Sequence, residues 1–299
     1  MYYKANFWLY QNDFDKDPNG QFAWLVRELD SAEKANENVY IIGHMPMGDS
    51  DAFHDSSNYF DQIVNRYSNT IAALFFGHTH VDHFEITYSD YSARSFSTAK
   101  AMSYISPSLT PTSGMPSFRV YEVDPDTFGV LDSITYIADM SNPDFQAKGP
   151  VWTKYYSAKE TYGAALEPPV TDPKAELTPA FWHNVTAKFA SDSAFFNDYI
   201  SRKSRGWKNN TCSGDCQTAE ICQLRAGRSQ DNCYVPKPGF DLFKRDAEPD
   251  GHGKHDSCGV SVGAETFSAL SSRKDLLEFL QEEFNKRGAK LRGSMADLE

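Results

Sequence analysis

The chain has 299 residues, enough for one large domain or two ordinary ones with a hydrophobic core. Its 29 Lys and Arg residues stand against 41 Asp and Glu residues, giving a formal net charge of −12. With no local basic patch in the sequence, this charge argues against nucleic-acid binding. The longest apolar stretches, such as residues 71–76, fall far short of the roughly 20 residues of a membrane-spanning helix, so we expect no transmembrane segment.

The cysteines and the glycosylation sequons indicate an oxidising compartment. Four of the five cysteines lie within residues 212–233, and sequons begin at Asn184 and Asn209. Both features are typical of proteins that pass through the secretory route. Residues 1–8 lack the apolar region and small-residue cleavage site of a secretion signal. We therefore expect a glycoprotein that is secreted or resides in a lysosome-like compartment, with its signal peptide absent from this chain.

The first 140 residues alternate helical and strand patterns, which predicts an α/β fold. Apolar residues at helical spacing predict amphipathic helices over residues 22–33 and 60–67. Short apolar runs at 39–42 and 71–76 predict buried strands. Each of these strands stops at a Gly-His pair.

The pattern changes in the later part of the chain. Apolar and polar residues alternate in three segments that predict half-exposed, antiparallel strands: 84–88, 118–123 and 130–137. Three further segments have helical patterns: 153–161, 178–190 and 193–202. Thr178 and Pro179 are typical of a helix N-cap and its first position. Residues from 236 onward predict a loose linker and then an amphipathic tail.

Three histidines follow the two predicted buried strands. His44 comes after the first strand, and His78 and His80 come after the second in Gly-His-Thr-His. Ligands of open α/β sheets bind at the carboxyl ends of strands. In an extended segment, alternation would point His78 and His80 the same way. Imidazole suits zinc, iron and manganese, and a histidine-only set suits zinc best. The pattern therefore predicts that His44, His78 and His80 are metal ligands.

Two stretches around these histidines resemble the last two metal-binding motifs of calcineurin-like metallophosphoesterases. They are Tyr-Ile-Ile-Gly-His-Met-Pro at residues 40–46 and Ala-Leu-Phe-Phe-Gly-His-Thr-His-Val-Asp at residues 73–82. Further stretches look more narrowly like the acid sphingomyelinase family: residues 6–9, 106–108, 118–121, 160–163 and 180–184. The cysteine spacing within 212–233 is also similar to that of the family's helical carboxy-terminal subdomain.

The resemblance implies a fold and a domain organisation. The expected fold class is α/β: part of a four-layer metallophosphoesterase sandwich of mixed β-sheets flanked by helices, followed by a helical, disulfide-containing subdomain. Residues 1–140 would be the carboxy-terminal half of the metallophosphoesterase domain. Residues 141–235 would be the helical subdomain, and residues 236–299 a linker and amphipathic tail.

The resemblance also implies a two-zinc site, in which His44 and His78 bind one ion and His80 the other. The ions would lower the pKa of a water molecule that attacks phosphorus, and would neutralise charge on the phosphoryl oxygens. Acid sphingomyelinases produce ceramide and phosphocholine. The implied substrate is thus a sphingolipid or another phosphodiester, and peripheral contact with a membrane is expected.

Other motifs of the superfamily are missing from the sequence. Asp-x-His, Gly-Asp-x-x-Asp and Gly-Asn-His-Asp/Glu should precede residue 21, and they are absent there. Residues 48–51 and 214–216 do not match the second of these motifs. Three ligands are too few for two zinc ions, which need roughly eight ligand contacts. We therefore expect the chain to be the carboxy-terminal part of a longer enzyme, whose general acid lies in the missing part.

The resemblance implies two disulfides, Cys212 with Cys216 and Cys222 with Cys233, which leaves Cys258 over. The residues alone leave open a structural zinc site formed by four thiolates, although the spacing lacks paired C-x-x-C motifs. An odd cysteine indicates a free thiol or a partner in another segment.

Two other functions are compatible with the sequence. A sphingomyelinase-like phosphodiesterase acting on nucleotides or other soluble phosphodiesters would use the same motifs. In its favour, residues 108–117 contain no Tyr that could line a quaternary-ammonium pocket. A noncatalytic truncated product, or an interaction module, would bind metal only weakly and could bind a partner through the tail around residues 276–284.

Overall fold

The computed structural model describes Asp17, residues 19–208 and 210–234, and Glu282. Apart from Glu282, these residues belong to one compact unit. The helices of the described residues are α1 (Gln21–Ala35), α2 (His54–Arg66), α3 (Phe145–Lys148), α4 (Ala158–Thr161), α5 (Pro179–Ser191), α6 (Ser193–Lys203) and α7 (Asp215–Leu224). The strands are β1 (Val39–Ile42), β2 (Ile71–Phe76), β3 (His83–Tyr88), β4 (Ala99–Ile105), β5 (Ser117–Val123), β6 (Val130–Ala138) and β7 (Trp152–Ser157).

The first sheet has the strand order β1-β2-β4-β3. β1 pairs with β2, and β2 with β4, in parallel, whereas β3 runs antiparallel to β4. Because neighbouring side chains of a strand point to opposite faces, Ala73 and Leu74 of β2 belong to different core clusters. β2 is therefore buried on both faces, as predicted. β1 is not, because it is the edge strand of the described sheet and its Ile42 is 82% exposed.

Helices α1 and α2 cover one face of this sheet. Phe22 and Leu29 of α1 share a core cluster with Phe60 and Val64 of α2 and with Leu74 of β2. These residues recur at the helical spacing from which both helices were predicted, and both predictions are confirmed. Asp17 accepts hydrogen bonds from the backbone N–H groups of residues 22 and 23 at the start of α1.

The second sheet packs on the other face of the first. It has the order β5-β6-β7 and is antiparallel throughout. Tyr121 of β5 contacts Phe75 and Tyr104 of the first sheet, with ring centroids 4.6 Å and 5.3 Å apart. The opposite side of β5 is exposed, including Phe118, so the predicted half-exposed, antiparallel strand is confirmed there.

Strands β7 and β3 also differ from the sequence expectations. Residues 152–157 form strand β7 rather than the first part of a helix, because their backbone pairs with β6. The helix begins only at Ala158, where Ser157 accepts a hydrogen bond from the Glu160 N–H. Strand β3 alternates as predicted but is not half-exposed. Glu85 and Thr87 are both 4% exposed, since Gly48 lies against Glu85 and Gly227 lies against Thr87.

The region after residue 178 is helical and contains the predicted disulfides. The Thr178 side chain caps α5 by accepting from the Phe181 N–H, as predicted. Cys212 bonds to Cys216, and Cys222 bonds to Cys233. These pairs exclude a four-thiolate zinc site. Cys258 and, apart from Glu282, the amphipathic tail lie outside the described residues.

The layered α/β sheets and the disulfide-containing helical region confirm the predicted fold class. Within the part of the chain that the structure describes, no helix is long and apolar enough to cross a membrane. The boundaries proposed at residues 140 and 235 remain predictions.

Candidate metal centre

Parallel pairing of β1 with β2 brings His44 next to His78. The register places Ile42 opposite Phe75, and the backbone continues this pairing past the strand ends. The Gly43 N–H donates to the Phe75 carbonyl at 3.0 Å, and the Gly77 N–H donates to the His44 carbonyl at 2.8 Å. Both histidines are thus fixed at one edge of the sheet.

The backbone after β2 is not extended at the histidines. His78 and His80 have φ values of 71° and 63°, in the left-handed region that non-glycine residues seldom adopt. The Thr79 N–H bonds back to the Gly77 carbonyl at 2.8 Å. The expectation of an extended segment with alternating side chains is therefore wrong, because a tight turn sets both rings. His78 is 8% exposed and His80 is half-buried.

His78 lies between a histidine and a carboxylate. Its Nδ1 is 3.3 Å from Nε2 of His44, and its Nε2 is 3.0 Å from Oδ2 of Asp51. The two imidazole rings meet edge to face, with centroids 5.2 Å apart and an interplanar angle of 80°. His44 itself is exposed. The centre therefore has an open side at His44 and a buried side at Asp51.

Asp49 and Asp51 complete a group that could hold a metal ion. One ligand atom from each of Asp49, Asp51 and His78 lies within 4.8 Å of the others. The Asp51 N–H donates to Asp49 Oδ1 at 2.8 Å, which fixes the turn between them. Burial raises the pKa of Asp49, and the nearby carboxylate of Asp51 adds to this shift.

Neither aspartate is among the ligands predicted from the sequence, since residues 48–51 do not match the second superfamily motif. One feature of the sequence could have indicated Asp49 and Asp51 as ligands. The two acidic residues lie in the loop that follows the same strand as His44, and carboxylates share with imidazole the ability to bind zinc.

Buried contacts fix the loop that carries these aspartates. The Gly48 N–H donates to Glu85 Oε2 at 2.9 Å, and the Asn232 side chain donates to the Gly48 carbonyl at 2.9 Å. Ser57 of α2 donates to the Met47 carbonyl at 2.6 Å. A Cβ atom at Gly48 would overlap the carbonyl oxygen of Ala226, which explains the glycine. Burial, with the charge of Asp49 adding to it, raises the pKa of Glu85 well above its ordinary value.

Comparison with known proteins identifies the family. Sphingomyelin phosphodiesterase 1 of Caenorhabditis elegans is 34% identical over 234 residues, which cover 78% of this chain and 39% of the relative. Sphingomyelin phosphodiesterase of Homo sapiens is 37% identical over 232 residues, which cover 76% of this chain and 34% of the relative. The chain belongs to the acid sphingomyelinase family.

A more distant relative is acid sphingomyelinase-like phosphodiesterase 3b of Homo sapiens, 29% identical over 226 residues that cover 70% of this chain and 46% of the relative. The chain thus spans less than half the length of each of these three curated relatives. No family model matches it.

In this acid sphingomyelinase family member, His80 lies apart from the Asp49, Asp51 and His78 group. Its Nδ1 is 2.8 Å from Thr112 Oγ1, and Nη1 of Arg205 donates to its backbone carbonyl at 2.9 Å. Burial lowers the pKa of His80, and the charges of His78, Arg205 and His44 add to this effect. Arg205 is fully buried and also donates to the Met115 carbonyl at 3.0 Å. It links the histidine turn to the end of α6.

The remaining predicted site residues are glycosylation acceptors. Asn184 is exposed on α5, while Thr186 of the same sequon is buried and bonds to the His183 carbonyl. Glycosylation of Asn184 therefore stays a prediction, and its acceptor side chain is accessible. Asn209 lies outside the described residues.

His183 bonds to the Tyr88 hydroxyl at 2.9 Å, and burial lowers the pKa of His183 to about 4.

Proposed function

We propose that this chain supplies metal ligands to a phosphodiesterase centre that hydrolyses sphingomyelin to ceramide and phosphocholine. One observation carries the proposal. His44 Nε2 and His78 Nδ1 approach to 3.3 Å at two adjacent strand ends, in a chain 34–37% identical to sphingomyelin phosphodiesterases.

The donors in the centre suit zinc. Two nitrogen ligands at about 2.1 Å from one tetrahedral zinc ion lie roughly 3.4 Å from each other, which agrees with the separation of His44 and His78. Asp49 adds a carboxylate oxygen, which zinc also accepts. We assign His44 and His78 to one zinc ion and His80 to a second.

The chain's own contribution to the reaction is to hold these imidazoles in place. Zinc, when bound, supplies Lewis-acid chemistry that acidifies water and offsets negative charge on phosphate oxygens. Pairing of the β1 and β2 ends fixes His44 against His78, and Arg205 fixes the backbone of His80. Such fixed geometry lowers the reorganisation needed to reach the transition state.

Two observations favour sphingomyelin over a soluble phosphodiester. The identity to human sphingomyelin phosphodiesterase is 37%, against 29% for the human 3b phosphodiesterase. In addition, Leu109 is 63% exposed in the segment that contacts His80 through Ser108 and Thr112. An exposed apolar side chain beside the centre suits a substrate that is embedded in a lipid surface, and we propose peripheral membrane contact here.

The disulfides support a location outside the cytosol. Bonds between Cys212 and Cys216 and between Cys222 and Cys233 persist in oxidising compartments. We propose a secreted or lysosome-like location and glycosylation at Asn184.

The substrate assignment is tested on protein isolated from its native source, supplied in parallel with sphingomyelin vesicles and a nucleoside triphosphate. We expect phosphocholine release from sphingomyelin, with turnover of the nucleotide at least about tenfold lower. The same protein carrying His44→Ala should lose about 100-fold or more of its activity, because a metal ligand is removed. His54→Ala, an exposed histidine at the start of α2, is the matched control and should retain activity. Preferred nucleotide turnover would overturn the assignment.

A further inference from the structure

The buried side of His78 contains a carboxylate with a defined contact. Asp51 Oδ2 lies 3.0 Å from His78 Nε2, and the two side chains are 12% and 7% exposed. On the other side of the same ring, Nδ1 lies 3.3 Å from His44 Nε2. The two ring nitrogens of His78 therefore face different groups.

The contact with Asp51 favours one tautomer of the neutral His78 ring. A neutral imidazole has one N–H donor and one acceptor nitrogen, whereas an ionised carboxylate can only accept. His78 therefore donates from Nε2 to Asp51. Its unprotonated Nδ1, with the lone pair that a metal requires, then points toward His44.

We propose that Asp51 is a positioning residue for His78, an inference that rests on the proposed metal centre. It fixes the ring orientation and the tautomer in which Nδ1 is the metal donor. Metal-ligating histidines commonly donate their second N–H to a carboxylate, which also raises the basicity of the ligating nitrogen.

Asp51 is itself held rigidly enough for this role. Its backbone N–H donates to Asp49 Oδ1 at 2.8 Å. The preceding loop is anchored through Gly48 to Glu85 of β3 and through Met47 to Ser57 of α2. These anchors come from two different elements, β3 and α2, so the Asp51 carboxylate has little freedom to leave His78.

A direct ligand role for Asp51 is the competing assignment. The oxygens of Asp49 and Asp51 and a nitrogen of His78 are close enough to surround a cation. In that arrangement Nε2 of His78 would bind the metal and could not carry a proton. The two assignments therefore differ in the zinc-bound protein, where Nε2 of His78 keeps its proton if Asp51 positions the ring and loses it if Nε2 is a ligand.

The test combines nitrogen-15 NMR of the metal-free and zinc-loaded chain with zinc affinity from chelator competition. We expect His78 to carry its proton on Nε2 in both states of the wild type, and to be a mixture of tautomers in metal-free Asp51→Ala. Zinc Kd should rise about 10- to 100-fold in Asp51→Ala and less in Asp51→Asn, whose amide oxygen can still accept from Nε2. Asp55→Ala, an exposed aspartate in the first turn of α2, is the control and should change neither measurement.

A wild-type His78 protonated on Nδ1 would overturn the inference, as would an unchanged zinc Kd in folded Asp51→Ala and Asp51→Asn proteins. In the cobalt-substituted protein, loss of one metal ligand in Asp51→Asn would instead show direct coordination. If zinc binds and depends on Asp51 but no phosphodiester is hydrolysed, the proposed function fails while the positioning role stands.

Discussion

The substitution Glu85→Gln should change how the stability of the fold depends on pH. Glu85 is 4% exposed, and burial raises its pKa well above the ordinary value. In the window between the unfolded and folded pKa values, the folded state holds one proton that the unfolded state has released. The free energy of unfolding should therefore fall by about 1.4 kcal/mol for each pH unit as pH rises through that window.

The glutamine side chain of this variant cannot ionise, and its amide oxygen can still accept from the Gly48 N–H. The variant should lose this contribution to the pH dependence. The stability of wild type relative to Glu85→Gln is then highest in acid and decreases toward neutral pH.

Urea unfolding of the metal-free chain at a series of pH values between about 4.5 and 7.5 measures this effect. Glu28→Gln provides the control, since Glu28 is exposed on α1 and solvent screens its charge. Parallel stability profiles for wild type and Glu85→Gln would refute the reasoning.

Two further substitutions test the packing around the centre by thermal unfolding. Gly48→Ala should lower stability by about 1–3 kcal/mol, because the new methyl group would overlap the Ala226 carbonyl; Gly77→Ala meets only one atom, at 3.8 Å, and should cost less. Arg119→Met should cost about 3–5 kcal/mol because it leaves its buried ion-pair partner Asp82 unpaired. Equal losses of stability in Gly48→Ala and Gly77→Ala would contradict the first expectation. The second would be contradicted if adding Asp82→Asn to Arg119→Met restored no stability.

The sequence was sufficient to predict the helices and strands whose apolar residues follow a simple pattern. Helices α1 and α2 and strand β2 were predicted because their apolar residues recur at the spacing of one buried face or form one continuous run. Strand β7 was missed because its residues pack only after β6 provides a pairing edge. Strand β4, with small and polar residues among its apolar ones, has no local pattern that distinguishes it from a loop.

The candidate metal centre could be predicted in part, because two of its histidines follow strands that have a clear apolar pattern. Parallel strand ends bring His44 and His78 together whatever the loops do, and both strands were visible in the sequence. The contact between Asp51 and His78 depends on a loop conformation set by Glu85, Ser57 and distant Asn232. Such long-range contacts leave no periodic pattern of apolar residues in the sequence. The left-handed backbone conformation at His78 likewise has no sequence pattern that predicts it.

The central claim is that His44 and His78 share one zinc ion. Anomalous diffraction from zinc-soaked crystals, measured at the zinc absorption edge, locates the metal directly. We predict a peak between His44 Nε2 and His78 Nδ1, lost in His44→Ala and retained in His54→Ala. A peak bound only to Asp49 and Asp51, or no peak with zinc in excess, would contradict the claim and favour a noncatalytic role for this chain.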